Sequence, residues 1–120
     1  MKISEVADRS GLSIDTIRYY ERIGLCPPVQ RGSDGHRAFT QEGLDWLTLL
    51  ASLRETGMPM ERMRAFADLY RGGDATVAER RAILLEHRER LKEQHDRIAR
   101  CETLLDHKLE RYEAIEGGAS

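Results

Sequence analysis

The sequence is poor in the residues that staple or break a chain: among its 120 residues are two cysteines, three prolines and one tryptophan. Cys26 and Cys101 form no Cys-x-x-Cys pair, and no Cys/His spacing matches a structural zinc site. No metal or other cofactor is therefore expected. The N-terminus carries no apolar signal core and no run approaches membrane-spanning length, which predicts a cytoplasmic chain with reduced thiols and no membrane partner. No nucleophile, base and orienting group recur in a pocket pattern, and no phosphate-binding glycine loop is present. Those absences argue against an enzyme.

A strong charge of one sign is lacking too, since 19 Lys and Arg face 21 Asp and Glu for a net charge of −2. A nucleic-acid partner therefore has to be argued from local cations and geometry, because phosphate contacts need cations at the interface and not a basic average. Between residues 16 and 37 the cations Arg18, Arg22, Arg31 and Arg37 stand against Glu21 and Asp34. With 40% hydrophobic and 33% charged residues, the core must be small and completed by a partner.

The first forty residues are punctuated every few positions, which predicts short elements. A helix over residues 2–10, with Ser4 near its cap, meets a tight turn at Gly11 and Leu12. Ser13 caps a second helix over residues 14–23, and Gly24 supplies the left-handed stop. Two short helices so briefly joined read as a helix-turn-helix. Pro27 and Pro28 forbid further helix. Residues 29–31 and 36–38 can then pair as strands around Ser33-Asp34-Gly35, forming a wing.

Thr40 caps a third helix over residues 41–56, with Leu44, Leu47, Leu50 and Leu53 at helical spacing. A fourth begins near Pro59 and turns Met60, Met63 and Phe66 inward before Gly72-Gly73. Thr76-Val77-Ala78-Glu79 has the form of a capping box, and no glycine or proline follows until Gly117. The expected divisions are 1–40, 41–75, 76–116 and a flexible tail at 117–120. One helix of about 40 residues would be about 60 Å long. Along it Val77, Leu84, Leu91, Ile98, Leu105 and Tyr112 recur every seven residues, a coiled-coil period, while Arg80, His87, Gln94, Cys101, Lys108 and Ile115 form a mixed companion seam. Homodimerisation is the natural use. An antiparallel pairing centred between Gln94 and His95 would set Leu84 against the partner's Leu105 and Leu91 against the partner's Ile98, with the two Cys101 thiols too far apart for a disulfide.

With I-S-E-V-A, T-I-R-Y-Y-E-R-I-G-L, R-x(5)-R-A-F-T and L-R-E-T-G-M in view, the chain resembles the MerR family of transcription regulators from residue 2 to about residue 112. The resemblance implies a mainly α fold: a winged helix-turn-helix, a supporting helix pair and a long helix that joins two copies in an antiparallel coiled coil. It implies sequence-specific binding to a pseudo-palindromic operator in double-stranded promoter DNA, with activation through distortion of an overlong spacer so that RNA polymerase reads both promoter elements. Ser13, Thr16, Arg18, Tyr19 and Tyr20 fall where members of the family meet the major groove and its phosphates. Arg18 suits a base edge or phosphate because guanidinium forks onto either; the alternative for Tyr20 is a purely core ring. Arg31 and Arg37 would grip phosphate from the wing, and Arg54 matches a backbone-contacting position or is a solvated surface residue. His36 and Phe39 stand where tyrosines are usual, so two hydroxyls are missing there, although the His36 ring can donate to the DNA backbone in place of one.

The signal is less legible. Metal-sensing relatives carry paired cysteines beyond the dimer helix, and this chain has no cysteine after Cys101. His95, Cys101 and His107 are six residues apart, which rotates them around the helix and not onto one face. Relatives that respond to aldehydes or other electrophiles place a cysteine where this chain has Ser52. Thiol, electrophile or stress sensing would then fall to Cys101, beside Arg97 and Arg100, or to Cys26; both also fit as small packing residues. Two other functions stand beside the effector-responsive regulator: an architectural DNA protein like the phage excisionases, which usually lack the long helix, and an effector-independent repressor.

Overall fold

The computed structural model describes residues 1–26, 30–31 and 37–118. Five helices and one hairpin follow in the order α1 (Ile3–Ser10), α2 (Ile14–Arg22), β1 (Gln30–Arg31), β2 (Arg37–Ala38), α3 (Gln41–Glu55), α4 (Met60–Arg71) and α5 (Val77–Glu116). The architecture is mainly α. The strands pair antiparallel, Gln30 with Ala38 and Arg31 with Arg37, as expected of a wing. Its expected turn at Ser33-Asp34-Gly35, the strand ends Val29 and His36, the break at Pro27 and Pro28, and the tail residues Ala119 and Ser120 lie outside the described residues.

The backbone divides into two compact units, Met1–Ile83 and Leu84–Ser120. In the first, α1 to α4 bury Val6, Ile17, Leu47, Leu50 and Met63 almost completely. Leu44 and Leu53 join them, so the leucine repeat of α3 is its buried side. Trp46 adds a second buried contribution: its ring stacks on Phe66 of α4 with centroids 5.2 Å apart, and tilts against Tyr70 at 4.5 Å. Its indole Nε1 donates to the Leu25 carbonyl at 2.9 Å inside the core. Trp46→Phe keeps the stack and leaves that carbonyl short of a donor, so unfolding free energy should fall by about 1–2 kcal/mol. Equilibrium denaturation in urea measures this, and an unchanged midpoint would contradict it.

Several local signals act as the sequence implied. Ser13 Oγ accepts from the Thr16 amide at 3.0 Å, and Thr40 Oγ1 accepts from the Gly43 amide at 3.0 Å. Each satisfies one of the amides that a helix leaves unpaired at its start. Several details differ, among them the second helix, which ends at Arg22 with Ile23 as its cap residue. The first helix has Lys2 at its cap with no side-chain hydrogen bond, so Ser4 lies within the helix and caps nothing. The third ends at Glu55, with Thr56 as its cap residue. The capping box at Thr76 does not form. Instead residues Gly73–Thr76 make a turn of 3-10 helix, and Thr76 Oγ1 donates backwards to the carbonyls of Leu69 and Gly73. The reason is conformational: Thr76 is itself part of the 3-10 turn that runs directly into α5, so it does not take the extended shape an N-cap serine or threonine needs.

Beside this turn the Tyr70 hydroxyl donates to Glu42 Oε1 at 2.6 Å, joining α4 to α3, while the Arg80 guanidinium lies 5.3 Å from the Tyr70 ring centroid. The hydrogen bond to the Glu42 carboxylate, and then burial, raises the Tyr70 phenol above the ordinary 10.0. A proton held more tightly in the folded state stabilises it fully below pH 10.0, and that stabilisation is lost as pH rises through the higher folded value. Tyr70→Phe should therefore show a smaller fall in melting temperature than the parent between about pH 9 and pH 11. Equal slopes for the two proteins would refute the coupling.

The second unit is the rest of α5. Leu84 and Leu91 are half-buried, whereas Ile98, Leu104, Leu105, Leu109, Tyr112 and Ile115 are all more than half exposed. Among the described residues no helix is long and apolar enough to cross a membrane.

Candidate nucleic-acid interface

The two faces of α2 have opposite character. Ile17 is fully buried and Tyr20 is 4% exposed, three residues apart on the inner side. Asp15, Arg18, Tyr19 and Arg22 are exposed, and their spacing of three, one and three residues makes one outward stripe. Tyr19 is 44% exposed, and the Arg22 guanidinium sits 5.6 Å from its ring centroid. A cation over an aromatic face holds the ring in place while leaving its hydroxyl edge outward. The stripe thus presents two guanidiniums, one phenol and one carboxylate.

The sequence-based candidates separate accordingly. Arg18 and Tyr19 share the outer side of α2, whereas Thr16 is half-buried toward its flank, its hydroxyl accepting from Ser13. Ser13 is exposed, but its hydroxyl is committed to the helix start, accepting from the Thr16 amide and donating to Thr16 Oγ1 at 2.8 Å. The Tyr20 ring is part of the core, the alternative the sequence had left open. Arg31 and Arg37 face one another across the hairpin as backbone partners, and His36 lies outside the described residues. Arg54 is exposed in the last turn of α3, with no hydrogen bond or ion pair to another candidate among the described residues. Phe39 is buried, and its backbone exchanges two hydrogen bonds with Met1, at 2.9 and 3.0 Å. That ring serves packing. Arg22 is an addition: its exposure and its place over Tyr19 come only from the helix.

The end of α2 is built with equal care. Gly24 stands at φ +81°, its amide bonding the Glu21 carbonyl at 3.2 Å while the Leu25 amide bonds the Tyr20 carbonyl at 2.8 Å. This is the left-handed stop with crossed hydrogen bonds that glycine permits. The next three carbonyls are then taken by side chains from the helix pair. Arg64 Nη2 donates to Ile23 at 3.3 Å, Arg71 Nη2 donates to Gly24, and Trp46 Nε1 donates to Leu25. These donors lie 41, 47 and 21 residues along the chain from their acceptors. No local pattern signals such bonds.

The thiols occupy contrasting places: Cys26 is buried just after this stop, and Cys101 is exposed on α5. Among the described residues no group of three or more His, Cys, Asp or Glu side chains is placed to hold a metal ion.

Comparison with known proteins agrees with this geometry. The family described as "MerR HTH family regulatory protein" matches residues 1–69, and that described as "MerR, DNA binding" matches residues 44–108. The HTH-type transcriptional regulator AdhR of Bacillus subtilis is 40% identical over 93 residues, 78% of this chain and 66% of that protein. The chain thus spans just under two thirds of AdhR's length. An HTH-type transcriptional regulator of Haemophilus influenzae is 36% identical over 110 residues, 92% of this chain and 82% of the relative. Among solved structures, HiNmlR, a MerR family regulator lacking the sensor domain and bound to promoter DNA, superposes with a TM-score of 0.88 at 33% identity, covering 100% of this chain and 91% of that one.

Proposed function

The chain belongs to the MerR family of helix-turn-helix regulatory proteins, DNA-binding transcription regulators and not enzymes, and from that premise we propose that it acts as a homodimer on a pseudo-palindromic promoter operator. Each protomer would lay α2 in the major groove of one half-site, with Arg18 on a base edge or phosphate and Thr16 and Tyr19 at phosphates. Arg31, His36 and Arg37 would hold the flanking backbone from the wing, and Arg54 would add a phosphate contact from α3. The observation that carries this proposal is the outward stripe of α2, where Arg18, Tyr19 and Arg22 are exposed together. A helix whose outer side served only solvation would need no arginine fixed over a tyrosine ring.

Pairing of α5 with a second copy is supported by the six large apolar side chains it exposes from Ile98 to Ile115, more than a lone soluble helix tolerates in one stretch. An antiparallel seam through Leu84, Leu91, Ile98, Cys101, Leu105 and Tyr112 would take in three of them, Ile98, Leu105 and Tyr112. On bound DNA the dimer would act at the promoter with RNA polymerase in the cytoplasm, untwisting an overlong spacer. HiNmlR, described as lacking the sensor domain, is bound to promoter DNA, which supports promoter DNA as the partner here. If an electrophile is sensed, exposed Cys101 is the thiol to test, ahead of buried Cys26.

The test is genome-wide mapping of bound sites, followed by transcription with purified polymerase from one bound promoter. Activation from a promoter with an overlong spacer is expected. Repression from an ordinary spacer would replace activation by a repressor, and the absence of any preferred site would overturn operator binding altogether.

A further inference from the structure

The side-chain donors at the end of α2 do more than satisfy carbonyls. Arg64 and Arg71 are seven residues apart, two turns of α4, so both guanidiniums leave the same side of that helix. They reach consecutive carbonyls, Ile23 and Gly24, at the C-terminal end of α2. That end carries the negative pole of the helix, and a cationic donor there makes a charge-assisted hydrogen bond. Gly24 is shaped for the contact: a Cβ built on it would lie 3.1 Å from Arg71 Nη2. Arg71 is itself oriented from behind by Asp68 Oδ1 at 2.7 Å, one turn earlier on α4. The indole of Trp46, held between Phe66 and Tyr70, takes the third carbonyl, Leu25. Nothing in the start of α2 is tied to α3 or α4 by comparable side-chain bonds among the described residues.

We propose that Arg64 and Arg71 are positioning residues of the DNA-reading surface: from α4 they hold the two carbonyls that immediately follow α2, those of Ile23 and Gly24, and so fix the tilt at which α2 offers Arg18 and Tyr19 to the groove. The proposal rests on the assignment of α2 as the reading helix. It gives the helix pair a definite part in recognition, since a shift or rotation of α4 is handed to α2 through two bonds and not only through soft side-chain packing. The same α4 runs through the Gly73–Thr76 turn, pinned by Thr76 to Leu69 and Gly73, into the first turns of α5. Neither arginine touches a base or phosphate in this scheme, and that separates their signature from that of Arg18.

The experiment uses the full chain, a duplex selected by the parent protein from a random pool, and a random-sequence duplex of equal length. Each is titrated at several salt concentrations, at a temperature where melting curves show every variant folded. R64M/R71M should bind the selected duplex about tenfold more weakly, the effect of two modest hydrogen bonds lost. Its binding to random duplex, and its salt slope on both, should match the parent because no phosphate contact is removed. R64K/R71K, which keeps a cationic donor at each place, should recover most of the lost preference. If the double methionine variant does not fold, R64M and R71M singly give the same comparison. An unchanged preference for the selected duplex would overturn the proposal. Equal weakening on both duplexes would overturn it too, by reducing the arginines to a general structural role. A salt slope lowered by about one per arginine would overturn it in favour of direct phosphate contact. R18A run alongside separates the failures: if it binds the selected duplex like the parent, α2 is not the reading helix at all.

Discussion

Replacing Arg18 with alanine should weaken binding to a specific operator by about ten- to a hundredfold, the usual worth of a well-placed arginine at a base edge. The side chain is exposed on the outer side of α2, while Ile17 beside it is fully buried and anchors the helix. Truncating Arg18 removes a contact group without opening a cavity, so the melting temperature should stay within about a degree or two of the parent. The loss should also be uneven among sequences if Arg18 reads a base, because only the operator offers the matching acceptor pair. If it instead meets a phosphate, affinity falls evenly and the salt slope drops by about one. Arg37→Ala, at the wing, is expected to follow the second pattern. Titrating both variants against the operator and a random duplex, at fixed and then varied salt, distinguishes them. An Arg18→Ala protein that binds the operator like the parent would remove α2 from the interface.

Loss of the dimer should have a still larger effect. In an antiparallel seam Ile98 meets the partner's Leu91 and Leu105 meets the partner's Leu84, and by symmetry each substitution occurs twice. Ile98→Glu combined with Leu105→Glu would force four carboxylates into the apolar contact, at several kcal/mol for each ion left unpaired. The double variant should sediment as a monomer at micromolar concentration. Both side chains are more than half exposed in the single chain, so α5 should remain helical and α1 to α4 folded. Operator affinity should fall by about two to four orders of magnitude, because two linked heads bind with a high effective concentration that a single head lacks. Circular dichroism, sedimentation and operator titration on one preparation check all three statements. A variant that remains dimeric would place the subunit contact elsewhere.

The reading helix was legible because its boundaries are written in chemistry that acts over three or four residues. Ser13 caps by reaching its own Thr16 amide, Gly24 stops by adopting a left-handed turn, and the wing pairs across a short connection. The apolar stripe of α5 was legible because a seven-residue period runs from Val77 to Tyr112, and helical geometry alone brings such positions to one side. The capping box at Thr76 failed for the same local reason that the others succeeded. A cap requires an extended residue at the helix start, and the 3-10 turn after Gly72 gives Thr76 no such shape.

By itself the amino-acid order determined the helices α1 to α5, the helix-turn-helix and wing, the leucine side of α3 and the apolar period of α5. All of these follow from backbone preferences and side-chain periodicity, which act between near neighbours. Tertiary structure alone decided which outward residues of α2 stand together, that the Tyr20 and Phe39 rings turn into the core, and that Trp46, Arg64 and Arg71 hold the end of the reading helix. Those outcomes depend on packing α2 against α3 and α4, where partners 21 to 47 residues apart meet. No spacing along the chain encodes such a meeting, because the bond exists only once the core has brought the two helices side by side.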